Sequence, residues 1–441
     1  MKHIKEVLKY VIVFIVIVFF ATILLTLVAS IPRKYVEKNL RQAVEYFKEN
    51  NTEIRMMEGK NKGYAYIHTY GEEMLFNIIY CLDTNNPLQA VMEAKFYERF
   101  ENEGSNIKYI KLVQEDLEPN AEYMRYWHGS MIFIKPLLMF FTLEQINLIN
   151  GIVLLALTII LLAILIKKKY YAIAISFIIG FIMTACWYVP FSFEFVYSFY
   201  AMLICSIIAI KIEDKNLENK NKKLYMLFFV TGILTSFFDF LSAEILTILV
   251  PVLIIVSMRI KNKNLKDMKK EIIFLIVSLM LWGVGYCIMF LAKWIVASFV
   301  LGINAFEYSV NKAMIRVNGQ VSNLSMIEMM WRAITSNFKT LYFINGIQNK
   351  PIYLITILVI IFAMITLIAD KKDKKKMQYL FFMLIIALVP YIRFAVLANH
   401  SIKHMFMTFR CQLPTIMCIV LILINTANKE MLFSDIKKEK K

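Results

Sequence analysis

Residues Tyr10 to Ala29 read YVIVFIVIVFFATILLTLVA, a run without a charge, a proline or a glycine, behind MKHIKEVLK. A helix of roughly 20 residues crosses the ~30 Å hydrocarbon core of a bilayer, so this run predicts a membrane span. It is too long for the apolar core of a cleaved signal peptide, and Ala29-Ser30-Ile31-Pro32 makes a poor cleavage site. The span is therefore expected to be retained.

Similar blocks recur at 147–166, 171–190, 195–211, 224–240, 243–258, 272–292, 351–369, 378–397 and 411–427. Of the 441 residues, 59% are hydrophobic and 19% charged, with mean hydropathy +0.59; soluble domains average about 45–50% and 25%. The expected fold class is all-α, a polytopic transmembrane bundle of about ten spans with a large N-terminal extracytoplasmic helical loop. Its parts are the first span 1–30, the loop 31–146, a bundle 147–301, a second extracytoplasmic segment 302–350, C-terminal spans 351–427 and a basic tail 428–441.

The net charge of +17 suggests nucleic acid until its placement is read. More than half of the 50 Lys and Arg residues fall in the short connections 1–9, 167–169, 211–223, 259–271, 370–376 and 428–441. The alternate short connections 190–195 and 240–244 hold none, and 397–410 holds only Lys403 and Arg410. Positive charge retains short loops in the cytoplasm, so both termini are expected there, in a multi-pass cell-membrane protein. The surplus is topological, aided by anionic membrane lipid, and no nucleic-acid partner is expected. Six cysteines form no CxxC pair, which argues against a disulfide framework and a cysteine metal site.

On the outer side, Val36, Leu40, Val44 and Phe47 predict an amphipathic helix over 35–48 lying on the membrane. Asn86-Pro87 opens a second helix with Leu88, Val91, Met92, Phe96 and Phe100 on one face. Thr142-Leu143-Glu144-Gln145 is a capping box. Met131 to Phe141 is apolar, but at 11 residues and broken by Lys135-Pro136 it is expected to be re-entrant or interfacial.

Ionisable residues near lipid are costly and default to functional hypotheses. Asp239 and Glu244 flank one outer turn and Glu194 occupies another; solvated carboxylates or a cluster binding sugar hydroxyls both fit. His400 and His404 stand at i and i+4, a spacing that admits a divalent cation. With Lys403 and Arg410 they fit a lipid phosphate better. Lys293 and Arg393 either join them or snorkel to the interface. In Tyr123-Met124-Arg125-Tyr126-Trp127-His128-Gly129, the aromatics can stack on a sugar while Arg125, Trp127 and His128 contact it; an interfacial aromatic belt is the plainer alternative.

One span, a large outer loop, many short-looped spans and a further outer segment together resemble the GT-C superfamily of lipid-phosphosugar-dependent glycosyltransferases. Tyr126-Trp127-His128-Gly129, Phe238-Asp239-Phe240-Leu241-Ser242 and Asn399-His400-Ser401 are similar to motifs of uncharacterised bacterial membrane proteins. The resemblance implies transfer of a sugar from a polyprenyl-phosphate-linked donor to a cell-envelope glycan or lipid acceptor. It also implies an acid in the first outer loop, Glu72 or Glu73, with Asp83 third; these lie farther beyond the first span than the superfamily's usual acid. The rivals are a flippase or transporter of lipid-linked sugar, a polysaccharide polymerase, and a non-catalytic scaffold.

Overall fold

The computed structural model describes residues 2–50, 53–55, 66–98, 107–193, 195–215, 219–239, 241–261, 268–318, 324–341, 343–344, 347–348 and 374–426. Over these residues the chain is almost wholly helical, in eighteen α-helices. The long apolar runs form α1 (Lys2–Ala29), α7 (Leu143–Lys167), α8 (Tyr171–Met183), α9 (Val196–Asp214), α10 (Lys220–Phe238), α11 (Leu246–Lys261), α12 (Met268–Leu301), α15 (Lys374–Val396) and α18 (Leu413–Thr426). Between α1 and α7 lie α2 (Glu37–Asn50), α3 (Tyr70–Tyr80), α4 (Pro87–Glu93), α5 (Ile107–Glu115) and α6 (Met131–Leu137). After α12 come α13 (Ala305–Asn318) and α14 (Met326–Thr340), and α16 (Ala398–Lys403) and α17 (Met405–Thr408) join α15 to α18. The described residues also form three antiparallel two-stranded ladders: Glu53–Arg55 with Tyr66–His68, Lys95–Phe96 with Ala121–Glu122, and Phe343–Ile344 with Ile347–Gln348.

Among the described residues, six stretches are long and apolar enough to cross a membrane: Ile4–Ala29, Leu143–Lys167, Val196–Asp214, Lys269–Leu301, Tyr379–Val396 and Met405–Ile424. Three other expected spans are shorter or more polar. α8 stops at 13 residues and passes into the 3-10 turn Cys186–Phe191, which contains Pro190. α10 starts with Lys220, Lys222 and Lys223, and α11 has 16 residues. The expected span 351–369 and the tail 428–441 lie outside the described residues.

The shortness of α11 has a physical reason. Every residue from Leu246 to Arg259 is buried, so this helix meets its neighbours α9, α10, α12 and α18 instead of lipid. Beside it, α10 and α12 cross with their backbones touching. A Cβ on Gly232 would lie 2.1 Å from the Trp282 carbonyl oxygen, and one on Gly285 would lie 2.3 Å from that of Phe229. Small residues at such crossings allow the close approach that packs helices in a membrane. Trp282 Nε1 and Thr235 Oγ1 both donate to Thr247 Oγ1, at 2.9 and 2.8 Å, tying the three helices together.

The two ends of the bundle differ. At one, the lysine-rich connections gather around buried Arg259, which donates to Glu213 (2.7 Å), Asn221 (2.8 Å) and Glu271 (2.9 Å). Lys222 pairs with Glu6 of α1 and Lys168 with Asp214 at this same end. The other end is capped by the segment between α1 and α7.

Within that cap, α2 forms as expected, but its apolar face packs into protein. Val36, Leu40, Val44 and Phe47 are buried, Tyr109 Oη donates to the Leu40 carbonyl (2.8 Å), and Phe47 stands 5.5 Å from the Tyr109 ring. The face that sequence assigned to lipid thus builds the core of the cap. The second amphipathic helix is shorter than expected: α4 ends at Ala94, whose φ of +49° turns the chain, and Phe96 lies in a strand. Phe100 falls outside the described residues. The capping box at Thr142 and Gln145 forms. α6 is a seven-residue helix with Pro136 inside it; its Lys135 Nζ donates to the carbonyl of Ala29, the last residue of α1 (3.0 Å). A cation there suits the negative end of the helix dipole.

Candidate functional site

The cap contains a cleft of about 690 Å³. Tyr70 and Met74 of α3 form one wall, Lys95, Phe96 and Glu98 a second, and Pro119 to Tyr123 with Arg125 a third; Tyr308 of α13 closes it. The ladder that pairs Lys95 with Glu122 and Phe96 with Ala121 brings the second and third walls together. Asn120 fixes their spacing, its Oδ1 accepting from Glu98 N (2.7 Å) and its Nδ2 donating to Glu98 O (3.1 Å). Arg125 lies over the Tyr123 ring at 4.0 Å and near the Tyr126 ring at 5.2 Å. Behind the first wall, Lys108 Nζ stands 4.6 Å from the Tyr70 ring. The cleft therefore offers four aromatic rings, two carboxylates, an ammonium and a guanidinium.

Its position is set by α12 and α13. Trp127 Nε1 donates to Met289 O (2.7 Å), Trp294 Nε1 to Arg125 O (3.2 Å) and Tyr308 Oη to Glu122 O (2.8 Å). Lys293 Nζ, fully buried, donates to Val91 O (2.7 Å) and Met92 O (3.1 Å). Gly129 N donates to Phe237 O (3.0 Å), and a Cβ at Gly129 would lie 2.4 Å from that oxygen. The run Arg125 to Gly129 is thus a joint between cap and bundle. From it only Arg125 lines the cleft; Trp127 and His128 are buried in the joint. Burial holds the His128 imidazole down to about 3, so it is neutral, with Nε2 at 3.1 Å from the Tyr123 carbonyl. Lys293 belongs to the joint as well, apart from the other residues expected to bind phosphate.

A second polar assembly lies where the cap meets the helix ends. Arg393 donates from Nε to Glu244 Oε1 (2.7 Å), from Nη1 to Ser401 Oγ (3.0 Å), and from Nη2 to Glu244 Oε2 (3.2 Å) and the Leu241 carbonyl. Both side chains of the pair are at most 5% exposed. Asp239 accepts from Ser198 Oγ and from the backbone N–H groups of Ser242 (2.7 Å) and Ala243 (3.3 Å). These bonds hold Leu241 at a φ of +69°, left-handed backbone that costs a non-glycine residue about 1 kcal/mol. The His400 and His404 rings meet with centroids 4.5 Å apart and their planes tilted by 36°. Arg410 donates from Nη1 to Phe406 O (2.8 Å) and lies 5.0 Å from the Phe195 ring, while Lys403 is exposed.

Of the expected acidic and basic groups, Glu244 is paired with Arg393, while Asp239 is hydrogen-bonded to Ser198, Ser242 and Ala243. Glu72 reaches the same place from the cap, accepting from Phe193 N, two residues before the Phe195 ring that Arg410 covers. Glu194 itself lies outside the described residues. Glu73 accepts from Tyr109 N (3.3 Å) inside the cap. Both glutamates are fully buried, and the α3 residues that line the cleft are Tyr70 and Met74. Asp83 is exposed and holds a turn, accepting from Asn85 N (2.8 Å) and Asn86 Nδ2 (3.0 Å); these bonds, Asn86 first, lower its carboxyl below the ordinary range. Among the described residues, no three His, Cys, Asp or Glu side chains converge to hold a metal ion. Sequence reasoning did not single out Lys95, Glu98, Glu122 or Tyr308. The two-residue strands are too short to show a period, and Tyr308 comes from a segment distant in sequence.

No protein-family model, curated protein or solved structure matches this chain.

Proposed function

We propose that the chain is a membrane glycosyltransferase that takes a sugar from a polyprenyl-phosphate-linked donor and passes it to a cell-envelope glycan or lipid. In this reading the cap and cleft lie on the outer face, both termini are cytoplasmic, and the fold is GT-C-like. The observation that carries it is the cleft itself: aromatic faces for sugar rings beside carboxylates and cations, in a cap joined to the ends of apolar helices. Sugar transfer needs a carboxylate near the attacking hydroxyl and cations near the departing phosphate. Glu98 and Glu122 supply the first and Lys95 and Arg125 the second, with either glutamate as the base.

Transport has less support. The centre of the described bundle is filled by α11, buried along its length, and the lysine-rich end is clasped by Arg259. A polar solute would have to displace both.

The test is a set of cells carrying Glu98→Gln, Glu122→Gln or Arg125→Ala at normal protein levels. Loss of an envelope saccharide, with its polyprenyl-linked precursor accumulating, supports transfer. Unchanged glycan and precursor in all three would refute it.

A further inference from the structure

One side of α14 turns away from the protein and carries two large apolar residues, Ile327 and Trp331, flanked by exposed Glu328 and Arg332. Ile327 is 79% exposed and Trp331, one turn on, 68%; Met326, the first residue of the helix, is 58% exposed at its open start. The opposite face buries Met329, Ala333, Asn337 and Thr340. Asn337 fixes the height of the helix. Its Nδ2 donates to Ser401 O (2.9 Å), its Oδ1 accepts from Thr408 Oγ1 (2.7 Å), and its carbonyl accepts from Gln412 Nε2 (2.8 Å). Those partners lie where the chain passes from the candidate span Tyr379–Val396 into Met405–Ile424. Phe338 meets Tyr391, ring centroids 6.4 Å apart, and Tyr391 lies roughly 7 Å before the end of its helix at 1.5 Å per residue. α14 therefore runs beside the end of a span, not above it.

Exposed aromatics mark the same end of other helices. Phe140 and Phe141 precede α7, Trp187 follows α8, and Phe299 stands at the end of α12. Of these, Trp187 is of the type that gathers at the boundary between headgroups and acyl chains, and the phenylalanines add apolar surface beside it.

We propose that α14 is an interfacial helix, its Ile327 and Trp331 face inserted into the lipid leaflet at the capped end of the bundle, with Met326 at its start. Arg332 and Lys339, both exposed, suit phosphate headgroups. Glu328 is turned back onto Ser325 in a capping box, which keeps its carboxylate at the helix start. The anchor holds the 397–412 connection at headgroup depth. It stands whether or not the protein transfers sugar.

The test uses the full chain in phosphatidylcholine–phosphatidylglycerol vesicles whose acyl chains carry bromine near the headgroup or near the chain end. Wild type minus Trp331→Phe isolates the Trp331 emission. The expected result is a blue-shifted component quenched more strongly by shallow than by deep bromine. Half-exposed Trp187 remains quenchable in both proteins and buried Trp127 in neither. Emission as in water without quenching would overturn the proposal. So would a blue-shifted Trp331 that bromine leaves untouched, since a protein would then cover the face. Ile327→Lys, on exposed surface, is expected to shift Trp331 to the red; an unchanged Trp331 would also count against insertion.

Discussion

In the cleft, Glu122 is exposed and Glu98, Lys95 and Arg125 line a space of about 690 Å³. Some way off, where the cap meets the helix ends, Glu244 and Arg393 are almost wholly buried and directed at one another. Both assemblies are rich in charge; the first lines an open cleft, whereas in the second Glu244 and Arg393 neutralise one another. The difference separates two uses of charge near a membrane. One set of groups is held open by a small ladder and a joint; the other closes a seam between helices and stabilises a turn that Leu241 would not adopt unaided. A charged residue near lipid is therefore a reason to look for function, and its partners decide which use it serves.

The largest expected effect comes from breaking the seam. Glu244→Gln removes the carboxylate that pairs directly with the buried Arg393 guanidinium, and removing one partner of a buried pair costs about 3–5 kcal/mol. Protein yield and thermal unfolding in detergent should show a severe loss. Glu244→Leu with Arg393→Met should recover most of it, because an apolar pair of similar volume carries no desolvation cost. A double variant as unstable as the single one would mean that the seam does more than fill space.

The joint is next. His128 is neutral when folded because burial holds its pKa near 3, whereas an unfolded histidine protonates near 6.5. The unfolded state therefore binds the proton first. The contribution of His128 to stability is complete above about pH 6.5 and is lost as pH falls towards 3, with a slope of about 1.4 kcal/mol per unit. Between pH 7 and pH 5 this amounts to about 2 kcal/mol. His128→Gln should be less stable at pH 7 and should show a shallower dependence in the same unfolding measurement.

The cleft should behave in the opposite way. Arg125→Ala is expected to leave unfolding nearly unchanged while lowering saccharide transfer at least tenfold, about 1.4 kcal/mol in the transition state. Equal losses of stability and activity would make Arg125 another seam residue. The smallest effect belongs to Lys403, which is exposed at the edge of the seam: Lys403→Ala should change stability by under about 0.5 kcal/mol.

These contrasts were only partly legible in the sequence. Runs such as Tyr10 to Ala29 announce their helices because lipid demands length and apolarity together. α11 carries the same composition at 16 residues, and nothing in its own sequence distinguishes a helix surrounded by protein from one facing lipid. The amphipathic period of α2 located the helix but not the substance its apolar face meets, since cap core and membrane surface select the same residues. At the candidate site, the alternation of lysine-rich loops assigned the acidic turns and the 393–410 segment to one end, and Glu244 of one turn pairs with Arg393. Arg125 was legible through its aromatic neighbours. Glu98 and Glu122 were not, because they are brought to the cleft by a ladder two residues long.

The central claim is tested most directly by reconstituting the chain in vesicles with polyprenyl-phosphate-linked hexoses labelled in the sugar. The account predicts that wild type, with an envelope-glycan acceptor present, removes label from one of these lipids and leaves polyprenyl phosphate, and that the variant lacking both cleft glutamates, Glu98→Gln with Glu122→Gln, does not. Intact lipid-linked sugar that merely changes leaflets, equally in both proteins, would contradict it.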